Sequence, residues 1–158
     1  MSIKNIKPTH NSGFTQGYYN PVNPFKYVGP LPIIYRSSWE RKVMIFCDGN
    51  ERVMKWSSEP ISIKYFNIVD NKFHNYHPDY FIQIKRGDSL VNYLVEVKPK
   101  AQLKKPSEPK KKTKKALENY QWAYKTYVTN MCKIDALKKF ADVNNYKVLL
   151  LTEDSKLL

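Results

Sequence analysis

Pro78-Asp79-Tyr80-Phe81-Ile82-Gln83-Ile84-Lys85-Arg86-Gly87-Asp88-Ser89-Leu90-Val91-Asn92-Tyr93-Leu94-Val95-Glu96-Val97-Lys98 reads as two alternating strands around a tight turn. Gly87 stands where a two-residue hairpin loop wants positive φ. A Gly87-Asp88 loop sets Ile84 opposite Val91, Ile82 opposite Tyr93 and Tyr80 opposite Val95, so one face is wholly apolar. On the other face Lys85 meets Leu90, Gln83 meets Asn92, Phe81 meets Leu94 and Asp79 meets Glu96, because directly opposed residues share a side of the sheet. The Cβ atoms of such a pair lie about 4.5–5.5 Å apart, and two carboxylates there repel unless a cation sits between them. Lys98, two residues beyond Glu96, falls on the same face at the strand end.

Two hard oxygen donors suit Mg²⁺, with Mn²⁺ as a substitute, and Mg²⁺ keeps several waters and is usually bound together with substrate phosphates. Phosphodiester hydrolysis follows from that chemistry. Asp79 and Glu96 hold the metal, a water attacks phosphorus, and Lys98 orients or helps deprotonate that water while countering charge in the transition state. A lysine at a strand end near a cation is also compatible with a lowered pKa. The same spacing also fits a plain strand-end acid at Asp79 and a surface ion pair between Glu96 and Lys98.

Outward from the hairpin, Ser37-Ser38-Trp39-Glu40 makes a capping box, with Ser37 as N-cap and Asp48-Gly49 closing a helix over 38–48. Trp39, Val43 and Phe46 share one line and Glu40, Met44 and Cys47 the next, which places Glu40 at the border of the buried face. Strands are expected at Val53–Trp56, Ile61–Tyr65, and from Phe73 after a turn at Asp70-Asn71. Leu117, Tyr120, Tyr124, Tyr127, Met131 and Ile134 repeat with helical spacing, predicting one long helix or two consecutive ones. The three tyrosines read as helix core, although interleaved aromatics that include Trp122 also suit base stacking. Lys147 to Leu151 reads as a strand buried on both faces. Residues 1–32, with Pro8, Pro21, Pro24, Pro30 and Pro32, show neither period and read as an extended arm before a single domain over 33–158.

The 158 residues are about one domain's worth, and 42% hydrophobic content is enough for a core. The 27 Lys+Arg against 14 Asp+Glu leave a charge of +13 and favour a polyanionic partner, DNA first. No stretch resembles a membrane span or secretory signal, so a soluble intracellular protein that avoids membranes is expected. Cys47 and Cys132 lack C-x-x-C spacing and read as reduced thiols. Lys100, Lys104, Lys105, Lys110, Lys111, Lys112, Lys114 and Lys115 make the 100–115 tract a mobile basic loop, helical no earlier than about Thr113. It serves either as a solvated surface or as a DNA tether acting by counterion release. His74 and His77 with Asp79 resemble a transition-metal set, but strand alternation points His74 away from the other two. An RNA-binding role lacks any RNP-like or GXXG element.

Pro78-Asp79 followed by Glu96-Val97-Lys98, behind a helix bearing Glu40, resembles the PD-(D/E)xK nuclease superfamily. Tyr35-Arg36-Ser37-Ser38-Trp39-Glu40-Arg41, Trp56-Ser57-Ser58-Glu59 and the Lys147–Asp154 ending are similar to the head-completion nucleases of T4-like tailed phages and, through them, to TnsA-type transposase endonucleases. The resemblance covers about residues 33–155. It implies an α/β, restriction-endonuclease-like mixed sheet flanked by helices, and a metal-dependent DNA endonuclease with Glu40 joining Asp79 and Glu96 at the metal. It also implies action late in head assembly, before tail joining, in the host cytoplasm or at the virion head or neck, with head or portal proteins as partners. A structural head or portal protein that binds the DNA end without obligatory catalysis is the alternative. Oligomeric state is left open by these residues.

Overall fold

The structure is a computed structural model that describes residues 16–156. In chain order its elements are β1 (Gly17–Tyr19), β2 (Ile33–Tyr35), α1 (Ser38–Gly49), β3 (Val53–Ser58), β4 (Ile63–Asn67), β5 (Lys72–Tyr76), β6 (Tyr80–Arg86), β7 (Ser89–Val97), α2 (Lys114–Val143) and β8 (Lys147–Leu151). Strands β3-β6-β7-β8 form the central sheet in that order. Its first three strands are antiparallel, and β8 runs parallel to β7, so the sheet is mixed. With helices on its faces this is the restriction-endonuclease-like α/β architecture the sequence implies.

The β6–β7 hairpin has the register expected of a Gly87-Asp88 loop: Tyr80 faces Val95, Ile82 faces Tyr93, Ile84 faces Val91 and Arg86 faces Ser89. Gly87 has φ +60° while Asp88 stays out of that region, the pattern of a turn with glycine at its first central position. On the apolar face Tyr80, Ile82, Ile84 and Val95 are buried against Val43, Met44 and Cys47 of α1. That helix starts where its cap dictates, with the Ser37 hydroxyl accepting from the Glu40 N–H at 3.1 Å.

The other face is covered near the end of β7 only. There the separate β4–β5 hairpin and the C-terminal half of α2 enclose Leu94, with Ile63, Tyr65, Tyr76, Leu137 and Ala141. Helix α2 is one 30-residue element capped by Thr113, whose hydroxyl accepts from the Ala116 N–H at 3.2 Å. Its buried residues are Asn130, Ile134, Leu137 and Ala141.

Three expectations change. Tyr120, Tyr124 and Tyr127 are not core: they lie in the half of α2 that has no buried residue and form a surface ladder with ring centroids 6.0 and 6.4 Å apart. Trp122 in the same half is 68% exposed. Strand β8 is an edge strand with only Leu151 buried, since nothing pairs beyond it among the described residues. The described part of the arm is extended at β1 but folds a 3-10 turn over Pro24–Lys26 and is anchored. β1 pairs with β2, and Asp48 at the end of α1 accepts from Tyr19 Oη (2.9 Å), Val22 N (2.7 Å) and Asn23 N (2.8 Å). The rings of Tyr19 and Tyr27 stand edge-on to the buried Trp56 at 6.0 and 4.7 Å, contacts worth about 0.5–1.5 kcal/mol each beyond area burial. Residues 1–15 of the arm lie outside the described residues.

Candidate active site

The acidic pair is delivered by the hairpin's open end. Asp79 precedes β6, its carbonyl accepting from Glu59 N at 2.9 Å and its Oδ2 from Val97 N at 2.6 Å. Glu96 is buried, 3% exposed; its Oε1 receives the Lys98 ammonium at 2.8 Å, and its Oε2 has no hydrogen-bond partner. Lys98 continues the line of β7 because its N–H bonds Leu151 O at 2.9 Å, which carries the parallel pairing one residue past the strand. From α1, Glu40 turns its Oε2 to the Arg36 N–H at 2.7 Å, closing the capping box one residue earlier than Ser37, and its carbonyl accepts from the buried Tyr80 hydroxyl at 3.2 Å. Glu40, Asp79 and Lys98 line one cleft of about 440 Å³ together with Ser37, Trp39 and Glu153. The clefts at the hairpin tip and under the arm contain no acidic side chain.

Burial and the charge of Glu96 push Asp79 up to about 7, against the pull of the Val97 amide and Lys98. Two carboxylates therefore compete for one charge. Burial works to lower the Lys98 ammonium, but Glu96 at 2.8 Å, with Asp79 and Glu40 beyond, overrides it and holds the group above its usual value. Without a cation between the acids, the lysine is the cation; the lowered value expected from the sequence is that of a lysine beside a bound ion. No group of three or more His, Cys, Asp or Glu among the described residues forms a preassembled metal cage. The residues nevertheless fit a hard divalent ion, because Glu96 Oε2 is a buried oxygen lacking a donor and Asp79 carries a charge penalty that a cation would remove.

The TnsA-like endonuclease N-terminal family matches residues 50–153 of this chain, about two thirds of it. The chain belongs to the TnsA-like endonuclease family. It is also 31% identical over 139 residues, 87% of this chain and 91% of the relative, to the head completion nuclease of Enterobacteria phage T4. No solved structure matches.

In this TnsA-like chain the other sequence candidates separate. His74 Nε2 sits 2.7 Å from Asp70 Oδ2 and His77 Nδ1 2.9 Å from Ile61 O, and among the described residues the two do not form a metal set with Asp79. Lys100 is engaged away from any ligand: its ammonium pairs with Asp154 at 2.5 Å and its N–H donates to Glu153 Oε2 at 2.8 Å. Lys104, Lys105, Lys110, Lys111, Lys112, Lys114 and Lys115 are exposed, with Lys105 over the Tyr124 ring at 5.9 Å. The tract opens in a 3-10 turn, Lys100–Leu103, whose Gln102 accepts from Asn130 of α2 at 3.4 Å, and α2 begins at Lys114 as expected. Both cysteines are free. No helix among the described residues is long and apolar enough to cross a membrane.

Sequence reasoning missed three neighbours of the site. Glu153 lines the cleft from the turn after β8 and orders the backbone just past Lys98. Tyr76 ends β5 with its hydroxyl buried and unpartnered, pushed up by burial and by the charges of Glu96 and Asp79. Lys133 of α2 feels the charges of Lys98, Glu96 and Asp79. A signal for it existed: Lys133 stands three residues after Asn130 and four before Leu137, on the edge of the stripe that faces the sheet.

Proposed function

We propose that this chain is a divalent-metal-dependent DNA endonuclease of phage head completion. It would cut phosphodiester bonds late in head assembly, before tail joining, in the host cytoplasm or at the virion head or neck, beside head or portal proteins. The supporting observation is the buried Glu96 with its unpartnered Oε2, set behind Asp79 and Lys98, which line an open cleft, the PD-(D/E)xK arrangement. The T4 relative's role in head completion supports the biological setting.

Asp79 and Glu96 would hold Mg²⁺, with Mn²⁺ as a substitute, and Glu40 would extend the acidic wall from α1. When bound, the ion supplies Lewis-acid polarisation of the phosphate and of the attacking water. The residues of the chain do the rest. The Val97 N–H fixes the Asp79 carboxylate, and the parallel bond to Leu151 fixes the backbone at Lys98. Lys98 orients the water and opposes the charge growing on the phosphoryl oxygens. The exposed lysines at 104–115 hold duplex DNA through its phosphates.

Pure protein incubated with linear, circular and branched DNA, with and without Mg²⁺, tests the reading. Cleavage that needs the ion supports it. Equal cleavage in a chelator sinks the metal dependence, and no cleavage on any substrate with DNA binding intact sinks the nuclease reading and favours the structural alternative.

A further inference from the structure

On the α2 side of the acidic pair lies an ammonium that no carboxylate meets in a direct ion pair among the described residues. Lys133 Nζ stands 5.8 Å from the ring centroids of both Tyr65 and Tyr76, and it makes no hydrogen bond or ion pair among the described residues. Those tyrosines belong to β4 and β5, so a strand pair and a helix converge to seat one ammonium. Cation–π contact with two rings stabilises the group but does not replace hydrogen bonds to its three N–H donors. Burial and the positive charge of Lys98 hold Lys133 below its usual value, with Glu96 and Asp79 opposing them. The Tyr76 hydroxyl beside it is also buried without a partner. Two donors with nothing to donate to therefore adjoin the carboxylates, in an arrangement that an anion would complete.

We propose that Lys133 is a second cationic contact to the DNA phosphate held at the Asp79–Glu96–Lys98 site, seated for that contact on the Tyr65 and Tyr76 rings. The proposal rests on the nuclease reading for the cleavage step, while the phosphate contact itself does not. Lys98 opposes charge from the β7 side and Lys133 from the α2 side, and the anion satisfies the ammonium and draws on the Tyr76 hydroxyl as a further donor.

Lys133→Met keeps the aliphatic stem against the rings and removes the charge, and Lys133→Arg restores a donor. Binding of each to a short DNA duplex is measured over a salt series in Ca²⁺, and single-turnover cleavage in Mg²⁺. Removing one cation from a phosphate should reduce the slope of log affinity against log salt by about 0.9 in Lys133→Met. Its cleavage rate should fall at least roughly tenfold, with Lys133→Arg recovering part of both. A slope and rate equal to those of the parent overturn the proposal, whatever the melting temperature does, because loss of a purely structural cation–π seat would lower stability alone. A reduced slope in Lys133→Met beside a parent that cuts no DNA would uphold the phosphate contact and refute the nuclease reading. Unchanged values beside a parent that cleaves would do the reverse.

Discussion

Neutralising Asp79 should stabilise the metal-free protein, by an amount that depends on pH. In Asp79→Asn the amide oxygen still accepts the Val97 N–H, so the 2.6 Å anchor survives and the charge beside Glu96 is removed. The native carboxyl titrates near 7 instead of 3.8. A raised acid favours the folded state fully below the unfolded value, and that contribution is lost as pH climbs through about 7. At about 1.4 kcal/mol for each pH unit of that rise, the charged carboxylate costs the native protein about 4 kcal/mol at pH 8 and under half of that at pH 5. For a chain of this length that corresponds to a melting temperature about 10 °C higher for Asp79→Asn at pH 8, shrinking toward pH 5. Thermal melts of both proteins in a chelator at pH 5, 6, 7 and 8 measure the difference. An Asp79→Asn protein equally or less stable at pH 8, or a gain that does not vary with pH, would refute the like-charge pairing of Asp79 with Glu96.

Asp48 should behave with the opposite sign. Burial raises it, but the Val22 and Asn23 amides and the Tyr19 hydroxyl override that and hold it below its usual value, so its contribution is present above the unfolded pKa and is lost as pH falls through the folded one. Asp48→Ala should cost roughly 3 kcal/mol at pH 7 in denaturant titrations, because it orphans buried donors that anchor the arm; a loss under about 0.5 kcal/mol would mean that the arm holds itself. Exchanging Lys110, Lys111, Lys112, Lys114 and Lys115 for Gln should flatten the salt dependence of duplex binding by up to about 0.9 for each phosphate no longer neutralised. It should leave stability unchanged or slightly higher, since Lys114 and Lys115 sit at the positive end of α2. An unaltered salt slope would show that the tract only solvates the surface.

What the sequence makes legible is what local geometry determines. A glycine at one turn position and a period of two fix the β6–β7 register, so the meeting of Asp79 and Glu96 can be read without any tertiary information. The Ser37 cap and the Thr113 boundary are legible for the same reason. What escapes depends on distant chain. Helical spacing is identical for a core stripe and a surface ladder, so it points Tyr120, Tyr124 and Tyr127 inward although that half of α2 holds no buried residue. A continuous apolar run cannot reveal that β8 has a neighbour on one side only. Lys133 reaches the site from a helix 35 residues beyond Lys98, and Glu153 arrives through the parallel pairing of β7 with β8, a long-range contact that no local pattern encodes.

The most direct test of the carboxylate pair as the seat of catalysis is single-turnover cleavage of duplex DNA by the parent, Asp79→Asn and Glu96→Gln over a Mg²⁺ titration. The parent should cut only with the ion. Each variant should be slower by roughly 10²-fold or more at saturating ion, because each removes one charge from a shared metal and phosphate centre, while DNA binding is retained. Cleavage by Asp79→Asn or Glu96→Gln at the parent's rate, with the same Mg²⁺ dependence, would contradict the assignment.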